Sequence, residues 1–146
     1  MSIKFLRCTA SDADALADLR VAAMRPSLEA VGRFDPERAR NRFLEGFSPD
    51  ATCKIERDGV LIGFFVMKDF EDHIFLDHLY VSPTEQGHGV GGEVIAHVKA
   101  RASERSVPVR LCALNKSKVN GFYVQQGFSV TRVEELDRYY EYVPQV

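Results

Sequence analysis

Gln86-Gly87-His88-Gly89-Val90-Gly91-Gly92 lies between an apolar run that ends at Val81 and a helical pattern that begins near Glu93. Glycine lacks a Cβ, so a glycine-dense stretch can take positive φ and turn several N–H groups toward one point. A helix that follows adds the positive end of its dipole, and the combination suits an anion, usually a phosphate. A plain turn would need only one or two glycines.

Two nucleotide patterns fit the stretch badly. Gly87, Gly89 and Gly92 satisfy GxGxxG, but that fingerprint needs glycines directly after a strand and an acidic residue about 20 positions further on. Here Ser82-Pro83-Thr84-Glu85 intervenes, and the position in question falls in Leu111-Cys112-Ala113. The Walker pattern fails because no Lys-Ser or Lys-Thr pair closes the loop.

Gln86, Gly89 and Gly91 do match Gln-x-x-Gly-x-Gly, and the stretch resembles the pyrophosphate loop of the GNAT superfamily of N-acetyltransferases. Leu79-Tyr80-Val81-Ser82-Pro83 ahead of it resembles that family's fourth strand. Gly121-Phe122-Tyr123-Val124-Gln125-Gln126-Gly127-Phe128 resembles its Phe-Tyr-x-x-x-Gly-Phe signature. The resemblance runs from Phe75 to the end, whereas the first half agrees only in its order of elements. It implies acetyl-CoA as co-substrate, held at Leu79, Tyr80, Val81, Gln86, Gly87, His88, Gly89, Val90, Gly91 and Gly92. No metal is implied.

With 146 residues, 45% hydrophobic and 27% charged, the chain reads as one soluble domain spanning 1–146. It has no apolar run of bilayer length and no signal-like N-terminus, so a cytoplasmic location without membrane attachment is expected. The formal charge of -2 gives no pull toward nucleic acid. Cys8, Cys53 and Cys112 are odd in number and lack metal or disulfide spacing, so they read as small buried residues.

Taken in order, Ile3 to Cys8 alternates like a strand, and Thr9-Ala10-Ser11-Asp12 offers caps to a helix bearing Leu16, Leu19, Ala23 and Met24, which Pro26 breaks or kinks. Asp35-Pro36 opens a second helix that runs to about Gly46 with Ala39, Phe43 and Phe47 inward. Asp58-Gly59 predicts a hairpin between Ala51–Arg57, with Ala51, Cys53 and Ile55 inward, and Val60–Lys68, a strand buried on both faces. Ile74 to Val81 is a further strand. After the glycine loop comes a helix with Val94, Ile95, Val98 and Ala102 on one face, ended by Ser106 and Pro108. Val107, Val109, Leu111 and Ala113 alternate as a strand, Lys116 to Gln126 reads as a helix closed by Gly127, and Phe128–Val133 and Arg138–Val143 are final strands. The expected class is α/β (α+β): a GNAT-like fold with a mixed central sheet of about six or seven strands and helices on both faces. In that fold, the resemblance implies, the strands before the loop and after its helix run parallel and splay, and the cofactor's amide-rich arm satisfies their unpaired backbone groups.

Acetyl transfer from a thioester to an amine needs a neutral amine, a stabilised oxyanion and a proton for the thiolate. By resemblance Tyr123 delivers that proton; by itself it reads as an amphipathic core tyrosine. Many members hold the cofactor arm with an asparagine where this chain has Lys116. Asn115 and Asn120 are the alternatives for that contact, and Ser117 suits a helix cap. The family fixes no single base. Strand alternation puts Asp77 on one face with Phe75, Leu79 and Val81, and His78 on the other with Leu76 and Tyr80, so only one of the two faces the acceptor directly. An imidazole has a suitable ordinary pKa, whereas an aspartate would need burial or would bind the amine as a cation. Both also fit hydrogen-bonded structural roles. His73, His88 and His97 receive no catalytic role.

Two functions follow: an N-acetyltransferase of small-molecule or peptide amines, or a CoA-sensing module that keeps the fold without turnover. Tyr123 favours the first, and the displaced asparagine keeps the second open. Glu71, Asp72 and Asp77 predict an acidic mouth for protonated amines, whereas Arg33, Arg38, Arg40 and Arg42, which read first as a solvated helix face, would favour acceptors bearing a carboxylate. Dimers are frequent in the family, which leaves a homodimer open, and Tyr139-Tyr140-Glu141-Tyr142 suits an interface or the acceptor mouth.

Overall fold

In the computed structural model, which describes residues 3–30 and 32–145, the chain forms β1 (Ile3–Arg7), α1 (Ala13–Ala30), α2 (Pro36–Glu45), β2 (Thr52–Arg57), β3 (Val60–Asp69) and β4 (Ile74–Val81). It continues through α3 (Val90–Arg105), β5 (Val109–Leu114), α4 (Val119–Gln125), β6 (Ser129–Val133) and β7 (Asp137–Tyr142). The strands make one mixed sheet in the order β1-β2-β3-β4-β5-β7-β6, flanked by the helices. This is the expected class and strand number. Two compact units are present, Met1–Val66 with His78–Gly91 and Met67–Asp77 with Gly92–Val146.

In the first unit, Thr9 N–H donates to the Asp12 carboxylate (2.9 Å) at a short 3₁₀ turn leading into α1. Pro26 does not break α1, which continues to Ala30. One missing N–H costs a single backbone bond. Asp35 caps α2 by accepting from Arg38 N–H (3.1 Å), with Pro36 in the first turn, as the sequence predicts. Phe43 of α2 stacks edge-on against Phe64 of β3 (5.2 Å), and around them Leu16, Ala17, Cys8 and Val66 are buried. The Asp58-Gly59 turn has positive φ at both residues (54° and 80°), and Arg57 pairs with Val60 across it. That geometry matches the right-handed twist of the two strands it joins. β2 does not alternate simply: Thr52 is buried, its hydroxyl donating to the Ser48 carbonyl (2.7 Å), and the register slips between Ile55 and Glu56.

The slip leaves Ile62 as an extra residue on β3, beside Gly63. Ile62 carbonyl accepts from Ser82 N–H (2.7 Å), so the bulge ties the end of β4 to β3. Gly63 is required there: a Cβ would lie 2.6 Å from the Tyr80 carbonyl oxygen.

In the second unit, Val94, Ile95, Val98 and Ala102 of α3 are fully buried, the predicted stripe. Each of the larger side chains contributes about 1.5–3 kcal/mol by leaving water. α3 begins at Val90 rather than near Glu93, because Val90 is itself buried and Gly91 and Gly92 sit in the first turn. Ser106, at φ 57°, ends it. β4 and β5 pair in parallel at Ile74–Leu76 with Val109–Leu111, and β5 pairs along its full length with β7. α4 begins at Val119 instead of Lys116, since Asn115–Ser117 form a turn in which Ser117 N–H donates to the Leu114 carbonyl (3.0 Å). No helix among the described residues is long and apolar enough to cross a membrane.

Candidate active site

The glycine loop is built by positive φ at Gly87 (85°) and Gly89 (82°), after a 3₁₀ turn at Pro83–Glu85. Residues other than glycine rarely adopt this backbone. Added Cβ atoms at Gly87, Gly89 and Gly92 would meet nothing within 4 Å, so these glycines leave space open above the backbone. The loop's base is fastened on both sides. Gln86 Nε2 donates to the Val81 carbonyl (3.0 Å), Glu85 N–H to the Ser82 carbonyl (2.8 Å), and Arg57 pairs with Glu85 (3.0 Å). Gln86 thus braces the loop against β4, while His88 is exposed. Val90 anchors the start of α3, whose first N–H groups have no partner within the helix.

Upstream, β4 places His78, Leu79, Tyr80 and Val81, all half-buried, directly before that loop. His78 and Tyr80 share a face, as alternation predicts: their rings are 5.5 Å apart, and His78 Nδ1 lies 3.2 Å from the Tyr80 hydroxyl. That hydroxyl is also 3.3 Å from Met24 Sδ, and the Phe43 ring meets His78 edge-on at 5.7 Å. In the second unit Asp77 forms an ion pair with Lys68 (3.0 Å). Its negative charge is therefore balanced. Asp72 accepts from His73 (2.7 Å), which holds its carboxyl below the ordinary carboxylate range, and Asp69 meets Arg105 (2.9 Å) and Arg101 (3.4 Å). The acidic mouth expected from Glu71, Asp72 and Asp77 thus has two of its three carboxylates countered by basic groups.

The Phe-Tyr-x-x-x-Gly-Phe signature has a local physical cause. Phe128 N–H returns to the Tyr123 carbonyl (3.1 Å) and Gly127 N–H to Val124 (3.0 Å), while Gly127 takes φ 90°. This is a Schellman C-cap, and its accompanying apolar contact is Tyr123 against Phe128 at 5.8 Å. Tyr123 is 7% exposed and also meets the rings of Phe122 (5.4 Å) and Tyr140 (5.9 Å). Lys99 closes the helix end, donating to the Gln126 carbonyl and lying 4.5 Å over the Tyr142 ring.

Asn115 and Asn120 have their amide groups engaged within the protein. Asn115 Nδ2 donates to the carbonyls of Glu134 (2.7 Å) and Glu135 (3.1 Å), and its Oδ1 is enclosed without a partner. Asn120 Nδ2 reaches the carbonyls of Leu114, Asn115 and Ser117 at 2.8–3.1 Å, and its Oδ1 accepts from Tyr140 (2.7 Å). Both side chains therefore shape the turn between β5 and α4.

The arginine patch divides. Arg40 bridges Asp14 (2.6 Å) and Asp18 of α1 and is structural. Arg38 and Arg42 border an open concavity of about 600 Å³ whose wall is supplied by α2 and its cap, with Asn41 and Glu45. Two residues that sequence patterns do not flag are Gly63, hidden in an apolar run, and Arg20. The signal for Arg20 was its spacing, one helical turn from both Leu16 and Met24, which places a guanidinium on the buried face of α1. Among the described residues, no group of three or more His, Cys, Asp or Glu side chains is arranged to hold a metal.

The sequence matches the acetyltransferase (GNAT) family model over residues 14–128. No curated protein matches it. Among solved structures, PaiA N-acetyltransferase from Thermoplasma acidophilum in complex with coenzyme A is similar with a TM-score of 0.82 and 18% identity, over 98% of this chain and 99% of that one. The ribosomal-protein-S18-alanine N-acetyltransferase from Escherichia coli aligns with a TM-score of 0.75 and 13% identity, over 99% and 96%. Ard1 from Thermoplasma volcanium aligns with a TM-score of 0.72 and 15% identity, over the full length of both chains. At such identities the structural likeness is one of fold. The family match, however, spans most of the chain and contains the glycine loop, β4 and the Tyr123 signature, so the chain belongs to the GNAT family of acetyltransferases.

Proposed function

We propose that the protein is an acetyl-CoA-dependent N-acetyltransferase, in which the primary amine of a small molecule or peptide attacks directly within a ternary complex. The observation that carries this reading is the loop: two glycines at positive φ, open space above them, and a 16-residue helix immediately after, whose first N–H groups have no partner within the helix. These features fit a pyrophosphate. Backbone amides from Gly87 to Gly92 would hold it, with Gln86 bracing the loop. β4 supports the rest of the assignment. Its registered pairing with β5 ends at Leu76, yet the strand continues to Val81, so its backbone from Asp77 onward can bond an amide-bearing arm.

Acetyl-CoA supplies the activated acetyl group, and the chain's own residues manage the protons. Tyr123 acts as general acid, its ring fixed by the Schellman turn and three neighbouring aromatic rings so that its hydroxyl oxygen is held in one place. His78 takes the proton from the amine, directly or through water. It is preferred to Asp77, whose carboxylate is already engaged by Lys68 at 3.0 Å. Asn115 and Asn120 serve the cofactor indirectly by fixing the turn before α4. The chain is read as a single acetyltransferase domain spanning residues 1–146. Free thiols at Cys8, Cys53 and Cys112 suit a reducing cytoplasm, and the charge of -2 argues against a nucleic-acid partner.

Gly89→Glu tests the loop. It forces a side chain into a φ of 82° and adds a negative charge to an anion site. CoA binding measured by calorimetry should be lost while the circular dichroism spectrum is kept; unchanged affinity in the folded variant removes the pyrophosphate assignment.

A further inference from the structure

Arg20 is a buried cation without an anionic partner among the described residues. It is 7% exposed, its Nη1 donates to the Ala39 carbonyl, and its Nε is enclosed without any acceptor. A guanidinium carries five N–H donors, and no carboxylate among the described residues pairs with this one. The carboxylates of α1 and the turn before it are committed elsewhere: Asp14 and Asp18 to Arg40, Asp12 to Lys54 and Glu29 to Arg25. Burying a charge is costly unless it is paired, and an apolar residue of the same size usually serves stability equally well. Stability therefore does not explain an arginine here.

Its surroundings indicate what the charge faces. Arg20 Cζ lies 5.9 Å over the Tyr80 ring, and Tyr80 in turn is 5.5 Å from His78, the residue assigned to take the amine's proton. The Tyr80 ring thus neighbours both the guanidinium and the base. We propose that Arg20 binds a carboxylate on the acceptor, so that the substrates are amines that also carry a carboxylate, as amino acids do. The proposal rests on the N-acetyltransferase reading above. The planar fork of the guanidinium matches two carboxylate oxygens, and the dry aromatic setting strengthens that pairing relative to water. The anion of the cofactor has a separate seat in the amides of the glycine loop.

The test compares a homologous series of amino acids with their carboxamides, which keep the amine and delete the negative charge, each pair assayed at equal free-amine concentration. Thiol release by the wild type should favour the carboxylates by about 10- to 100-fold in kcat/KM. Arg20→Met keeps the apolar volume, should fold, and should collapse that ratio toward one; Arg20→Lys, retaining the charge without the fork, should fall between. A wild type with no preference, or a preference that survives Arg20→Met, overturns the proposal. So does a tenfold loss of CoA affinity in Arg20→Met with the ratio intact, which would assign the guanidinium to a cofactor phosphate. If no amine is turned over, the N-acetyltransferase reading has failed separately, and titration of simple carboxylates into the CoA-loaded protein by NMR decides: binding in the wild type that is absent in Arg20→Met supports the anion site, and equal or no binding in both refutes it.

Discussion

Replacing Gly63 by alanine should injure the fold and the cofactor site together. The new Cβ would stand 2.6 Å from the Tyr80 carbonyl oxygen and 3.3 Å from Val81 Cα and Ile55 Cδ1. Restoring ordinary contact at the first of these requires a movement of about 0.8 Å, and the obstacle is backbone that cannot rotate away. β4 is also pinned to β3 at that point, because Ser82 N–H bonds the Ile62 carbonyl at 2.7 Å. Overpacking of this kind costs about 2–3 kcal/mol, or about 5–10 °C in Tm for a chain of this length. Because the displaced atoms belong to Tyr80 and Val81, CoA affinity should fall as well. The assay is urea unfolding paired with CoA calorimetry, and Gly121→Ala is the control: its Cβ meets nothing within 4 Å on α4, so it should stabilise by about 0.5–1 kcal/mol. A Gly63→Ala protein within 0.5 kcal/mol of wild type, with unchanged CoA affinity, would refute the close-approach argument.

Asn120→Ala should lose about 2–3 kcal/mol, because it removes the donor to three turn carbonyls and strands the hydroxyl of Tyr140, which is 1% exposed; chemical denaturation checks this, and a loss below 0.5 kcal/mol would show the turn to be held by other means. The cysteines predict an alkaline limb. Burial raises the thiols of Cys8 and Cys112 from 9.0 to about 11, with the charges of Asp12 and Asp137 respectively adding to the effect, so the folded state keeps the thiol neutral to higher pH than the unfolded chain does. Their contribution to stability is complete below 9.0 and is lost as the pH rises toward 11, and Tm followed across that window should drop less steeply in a Cys8→Ala, Cys112→Ala protein. Equal slopes in the two proteins would contradict the assignment.

Local chemistry in the sequence specified much of this molecule. Asp58-Gly59, the Asp35-Pro36 cap, the α3 stripe and Gly127 each act through neighbours close in the chain, and each appears in the structure as expected. Of the two outcomes expected at Pro26, a break does not occur: α1 continues past it to Ala30. Gly91 and Gly92 looked like loop residues, but buried Val90 starts the helix ahead of them. Asn115 and Asn120 were readable as candidates by type and position, but their bonds to Glu134, Glu135 and Tyr140, which add to Asn120's local bonds to Leu114, Asn115 and Ser117, involve partners distant in sequence. Gly63 was invisible because what makes it unusual is a contact across strands, which no spacing rule along one segment encodes; spacing puts Arg20 on the buried face of α1, but not its bond to Ala39 of another helix.

The most direct measurement of the central claim is thiol release from acetyl-CoA across a broad panel of amines, with the products identified by mass spectrometry, for the wild type and Tyr123→Phe. The account predicts amine-dependent release, one N-acetyl product per thiol, and in Tyr123→Phe a fall in kcat of at least about 100-fold with CoA affinity retained. Tight CoA binding without turnover on any amine, or equal turnover by both proteins, would contradict it.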